Sequence, residues 1–167
     1  MIEPSWIIEA RKMIGTHETL GNKDNPEVVK LFQDAGHSEV VHDETPWCAA
    51  FVGAMLKRSG HSGTGSLWAL DYEKWGQKLN DLAVGAIATK KRKNEAGKII
   101  GGHVFFVVGW EHDNVYALGG NQQDSVSIQE YPRSVITALR WPIDAPLPNQ
   151  QPTVLAISNA SHGGTEI

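Results

Sequence analysis

Up to Gly76 the apolar positions fall at helical spacing, and beyond it they fall in short alternating or β-branched runs. Trp6, Ile7, Ala10, Met13 and Ile14 mark one inner face over residues 4–14, which Gly15 closes. Asn25-Pro26-Glu27 reads as an N-cap, a first-turn proline and a first-turn acid, and Val28, Val29, Leu31 and Phe32 carry a second helix to Gly36. A third helix is predicted from Thr45 as cap and Pro46 as first residue. It runs through Ala49, Ala50, Phe51, Val52, Ala54, Met55 and Leu56 to Lys57-Arg58 and a stop at Gly60. Ser66 can cap a shorter helix through Leu67, Trp68, Leu70, Tyr72 and Trp75. Leu82 to Thr89, Val104 to Trp110, Val115 to Leu118, Val126 to Gln129 and Ile136 to Trp141 are strand-like, with turn residues between them. Helices first and strands second predict an α+β domain, its helices packed on an antiparallel sheet of about five strands.

Length and charge narrow this picture. With 167 residues the chain can bury one sizeable core. We expect a single domain over residues 1–143. From 144 to 167 the composition shifts to Pro, Gln, Asn, Ser and Gly, which predicts an extended or partly ordered tail. A net charge of −4 gives no basic surplus, so nucleic acid is not an expected partner. The local run Lys90-Lys91-Arg92-Lys93 is read as the solvated tip of a hairpin or loop, with a modest attraction to an anionic polymer as its functional reading. The first residues lack the basic and long apolar parts of a secretory signal, and no stretch reaches the length of a membrane span. The expectation is synthesis in the cytoplasm without a signal peptide, no stable membrane insertion, and external delivery for any work outside the inner membrane.

The single cysteine excludes an internal disulfide and a multi-thiolate zinc site. Its position directs attention elsewhere. Near a helix start, unpaired backbone N–H groups and the helix dipole favour a thiolate over a thiol. A nucleophilic thiol needs a base, and the base works best when a third group fixes its tautomer. Gly101-Gly102-His103 puts an imidazole at the head of an apolar strand, after two glycines that permit close approach of a backbone or a substrate. The next strand ends in Leu118-Gly119-Gly120-Asn121-Gln122. A five-residue hairpin loop over Trp110 to Asn114 would set His103 opposite Asn121, whereas a two- or four-residue loop would set it opposite Gln122. Either register brings a carboxamide to the ring. Cys48 and His103 alone are too few ligands for zinc, so no metal and no cofactor is expected.

Taken together, Pro46-Trp47-Cys48-Ala49-Ala50-Phe51-Val52, Gly102-His103-Val104, Leu118-Gly119-Gly120-Asn121-Gln122 with Asp124, and the closing Arg140-Trp141-Pro142 carry a likeness. They resemble the CHAP and NlpC-type branch of the papain-like cysteine amidohydrolases and peptidases, small bacterial and phage proteins, over most of residues 4–142. The resemblance implies a papain-like fold with Cys48 as nucleophile, His103 as base and Asn121 as the orienting third member. It further implies a peptidoglycan hydrolase cutting an amide in the peptide stem or between sugar and peptide, with phage lysis or delivery into a rival cell as its setting. The action would be in the periplasm or cell wall, and the candidate protein partner is an immunity protein or a holin. The alternative is a catalytically silent cell-wall-binding domain of the same fold. Trp47 beside the cysteine, Trp68 after the glycine loop, Gly102 and Gln122 are the candidate substrate-binding residues, since aromatic faces suit sugar rings and peptide stems. The chain departs from the relatives at Gly85-Ala86, where they carry Gly-Asp. Glu18 matches a family acid and is read as ordering its loop.

Overall fold

The computed structural model describes residues 3–17, 25–37 and 47–148, and the backbone of residues 160–162. Three α-helices, α1 (Ser5–Lys12), α2 (Pro26–Asp34) and α3 (Cys48–Arg58), precede a 3-10 helix, Ala69–Lys74. Seven strands follow: β1 (Gln77–Lys78), β2 (Ile87–Lys93), β3 (Ile99–Glu111), β4 (Asn114–Gln122), β5 (Ser125–Pro132), β6 (Ile136–Trp141) and β7 (Ala160–His162). They form one sheet in the order β1-β6-β2-β3-β4-β5-β7. All neighbours run antiparallel except β5 and β7, which are parallel. The molecule is therefore α+β, with the five predicted runs forming the centre of the sheet. The short β1 lies outside those runs, and β7 is built from residues of the predicted tail.

Two predicted positions need correction. Lys90 to Lys93 do not form a loop tip; they lie in β2, and the turn comes later, where Asn94 N–H donates to Lys98 O at 2.9 Å. The third helix begins at Cys48, with Trp47 in the cap position at φ −129° and no side-chain cap. Thr45 and Pro46, the predicted cap and first residue, lie outside the described residues, as does Glu18. The predicted cap of α2 is present, since the Asn25 side chain accepts the Glu27 N–H at 2.9 Å.

Helix α3 is the centre of the core, buried from Cys48 through Leu56. A helix apolar all round must be covered all round. Phe51 meets Phe106 of β3 edge-on at 5.9 Å. Trp6 of α1 stands edge-on to Trp141 at 5.0 Å and donates its indole N–H to Gly85 O at 2.8 Å. Gly85 has φ +99°, and a Cβ there would fall 2.6 Å from Pro4. The residue before the expected family acid thus anchors α1 to the sheet. Among the described residues no helix is long and apolar enough to cross a membrane.

The β3–β4 hairpin combines both predicted registers. Its loop is two residues, His112-Asp113, so Glu111 faces Asn114 and Trp110 faces Val115. An extra residue between Val107 and Gly109 then shifts the pairing, and Val107 faces Ala117 while Phe106 faces Leu118. Further on, β4 carries its own irregularity between Gly119 and Gln122 against β5, with Asn121 at φ +59°. That irregularity decides which amide meets His103.

Candidate active site

His103 is fully buried on β3, and its Nε2 lies 2.9 Å from the Gln122 Oε1. The amide orientation follows from its other partners. Gln122 Nε2 donates to Ser127 O at 2.8 Å and to Ala117 O at 3.2 Å, while the Tyr131 hydroxyl donates to Oε1 at 3.2 Å. Turning the amide over would set an oxygen against two carbonyls, so Oε1 must face the ring. Nε2 of His103 is then a donor, and in the neutral ring the basic lone pair sits on Nδ1. Tyr131 also meets the ring edge-on at 6.1 Å, and Phe105 lies against it at 5.7 Å. The imidazole is held in orientation and in tautomer.

The structure differs from the predicted triad in which amide faces the ring. The partner is Gln122, named from the sequence as a substrate-binding candidate, and its oxygen and nitrogen are both engaged within the protein. Asn121, expected to be the orienter, is fully buried at the left-handed turn that swings Gln122 inward. A single residue added to β4 exchanges the two positions, and side chains of opposite faces exchange with it.

Cys48 reaches the same point of β3 from the helix. Burial pushes its thiol above the ordinary value near 9.0, against the opposing pull of the Val104 N–H, the Ala49 N–H, the Arg92 charge and its own amide. The Val104 N–H belongs to the residue after His103, so the sulfur lies against the strand that carries the imidazole. The predicted preference for thiolate at the helix start is reversed: desolvation of a residue only 5% exposed outweighs the helix-start donors. The resting form is the thiol, and a nucleophile here requires proton transfer to a base.

Paired glycines make this convergence sterically possible. A Cβ at Gly120 would lie 2.7 Å from the Phe51 Cβ and 2.9 Å from the Trp47 ring, so this glycine lets the start of α3 rest on β4. A Cβ at Gly119 would lie 2.6 Å from Gln122 Oε1, so this one lets the amide cross to His103. Gly101 and Gly102 act similarly on β3, the first beneath the Arg92 guanidinium and the second beneath Leu70 of the 3-10 helix. Alternate residues face opposite sides of a strand, so a glycine pair clears both sides at one level.

The predicted substrate-binding residues separate. Trp47 is fully buried against Gly120 and belongs to the core, not to an accessible groove wall. Gly102 is covered by Leu70, so the close approach it permits is made by the protein itself. Trp68 is 52% exposed and is open to a ligand. A cavity of about 220 Å³ lies alongside α3, lined by Ala49, Gly53, Lys57, Asp34, Gly63 and Tyr72. The Tyr72 phenol, buried at its wall and accepting the Thr64 N–H, is pushed up to about 12 and stays protonated. Among the described residues no three His, Cys, Asp or Glu side chains are grouped to hold a metal ion.

Searches against protein-family models, curated proteins and solved structures find no match to this chain. The likeness to papain-like hydrolases therefore rests on the motifs and on the chemistry of the site.

Proposed function

We propose that this protein is a cysteine-dependent amide hydrolase of papain-like type, acting on bacterial peptidoglycan. The carrying observation is that the Cys48 sulfur lies against β3 at Val104, the residue after His103, whose Nε2 faces the Gln122 Oε1. His103 takes the thiol proton at Nδ1, and the sulfur attacks the amide carbonyl to form a tetrahedral oxyanion. The Cys48 backbone N–H at the head of α3 is the available helix-start donor to that oxygen. The imidazolium then gives its proton to the leaving amine, and water hydrolyses the acyl-enzyme with His103 again as base. The thiol is the ground state, so deprotonation accompanies attack.

The substrate class comes from the resemblance: an amide in the peptide stem, or the one joining sugar to peptide. The cavity beside Ala49 offers a recess along the cysteine helix, and the exposed Trp68 offers an aromatic face. Phage lysis and delivery into a rival cell are the two settings, the first pairing the enzyme with a holin and the second with an immunity protein. Mass spectrometry of muropeptides after digestion is the test, with Cys48→Ala as control. New fragments from the wild type alone support the reading, and identical fragments from both proteins refute it.

A second reading has its own observation. The low exposure of Cys48 and His103 suits a silent cell-wall-binding domain whose thiol is only a core side chain. Pull-down on purified sacculi without release of fragments, together with iodoacetamide labelling no faster than that of an unfolded thiol, would favour it.

A further inference from the structure

The basic run of β2 is divided by the pleat. Lys91 and Lys93 are exposed. Lys90 pairs with His103 and Arg92 pairs with Gly101, so Lys90 and Arg92 share the face of the sheet that carries the imidazole. Lys90 is committed, its ammonium 4.8 Å from the centre of the Tyr131 ring. Arg92 is not. Its guanidinium lies over Gly101, where a Cβ would fall 2.9 Å from Nη2 and 3.4 Å from Nε. Its Nε is shielded from solvent and has no hydrogen-bond partner, and no carboxylate pairs with it among the described residues. A buried N–H donor of a cation left without an acceptor is costly, and a planar fork of donors matches a carboxylate. The charge of Arg92 is also felt at the Cys48 sulfur.

We propose that Arg92 binds a carboxylate carried by the substrate beside the scissile amide, so that the site selects anionic peptide-like amides over neutral ones. This rests on the cysteine-hydrolase reading and adds the substrate's charge to it. Gly101 is a positioning residue here, since it gives the guanidinium its seat on the imidazole's side of the sheet.

Iodoacetate and iodoacetamide differ by this carboxylate, and Cys48 displaces iodide from either. The ratio of the two alkylation rates cancels the influence of Arg92 on the thiol itself, because both reagents meet the same sulfur. Arg92→Gln should lower the iodoacetate-to-iodoacetamide ratio roughly tenfold, the scale of a charge-assisted hydrogen-bonded pair. Gly101→Ala should lower it in the same direction while keeping the charge, and Arg92→Lys should restore only part of it. An unchanged ratio in Arg92→Gln overturns the proposal while leaving the nucleophile intact. If neither reagent modifies Cys48, the hydrolase reading fails, and the carboxylate site is judged by the Arg92 Nε–H resonance during titration with acetate. A saturable shift supports it, and no shift overturns it.

Discussion

Replacing Gln122 by Leu tests the interior of the site most directly. The substitution keeps approximate volume and removes both ends of the amide. It leaves the His103 N–H and the Tyr131 hydroxyl without their acceptor, and the Ala117 and Ser127 carbonyls without a donor. At about 1 kcal/mol for each lost buried hydrogen bond, the folded state should be weaker by about 3–4 kcal/mol. In a domain of this size that is a fall in Tm of roughly 10 °C.

The chemical loss is separable from the loss of stability. Without the Gln122 acceptor the Nε2–H tautomer loses its preference. A ring protonated on Nδ1 instead donates toward the thiol and cannot take its proton. A preference of about 1.4 kcal/mol corresponds to about tenfold in rate. The assay is the alkylation rate of Cys48 by iodoacetamide against pH, at a temperature where both proteins are folded. The base-assisted limb at lower pH should shrink in Gln122→Leu. Asn121→Gly retains the left-handed backbone at φ +59° and should keep that limb. The opposite pattern, with the limb lost in Asn121→Gly and kept in Gln122→Leu, would refute the assignment and return the orienting role to Asn121.

Three further outcomes are expected. Gly120→Ala forces a methyl to 2.7 Å from the Phe51 Cβ and 2.9 Å from the Trp47 ring, which should cost about 1–3 kcal/mol in urea unfolding and abolish hydrolysis by displacing Cys48. Because burial raises the Cys48 thiol, the folded chain binds this proton more tightly than the unfolded one, so the stabilisation is complete below the ordinary value near 9.0 and is lost as pH rises through the folded value. Wild type should therefore lose stability relative to Cys48→Ala when urea midpoints are compared at about pH 7 and about pH 10, and a relative gain would reveal a folded thiolate. Trp47→Ala should cost about 3–5 kcal/mol of stability, whereas Trp68→Ala should leave Tm nearly unchanged and weaken co-sedimentation with sacculi. Equal effects of the two on stability would contradict their burial.

What the chain discloses and what it hides differ for physical reasons. Apolar periodicity is a local property, and it locates α1, α2 and α3 closely and finds all five central strands, but it misses strand ends: β2 begins at Ile87 and not Leu82, and β3 at Ile99 and not Val104. The site depends on register, which sequence shows only as alternatives. The loop length of the β3–β4 hairpin could place either Asn121 or Gln122 beside His103, and the actual two-residue loop alone would favour Gln122. The extra residue at Val108 then cancels that shift, and the irregularity at Gly120-Asn121 restores its outcome. Two compensating insertions leave no trace in hydrophobic alternation, because each moves the pattern by one and together they return it.

Signals did exist for the missed parts, but they were ambiguous alone. Asn121, Gln123 and Asp124 all have positive φ, and Asn and Asp tolerate that region better than most residues, so the cluster advertises a tight bend. The two glycine pairs likewise announce close approach without naming what approaches. In the structure the visitors are Leu70, the Arg92 guanidinium, the Gln122 amide and the Trp47–Phe51 face of α3, all of them the protein's own groups. The donors at the helix start do favour the Cys48 thiolate, but exposure cannot be read from a cap, and burial outweighs them. On the hydrolase reading that cost assigns the work of ionisation to His103, since a thiol held protonated by burial needs a base of fixed tautomer to become a nucleophile. The Gln122 amide, with four partners of its own, is what fixes that base.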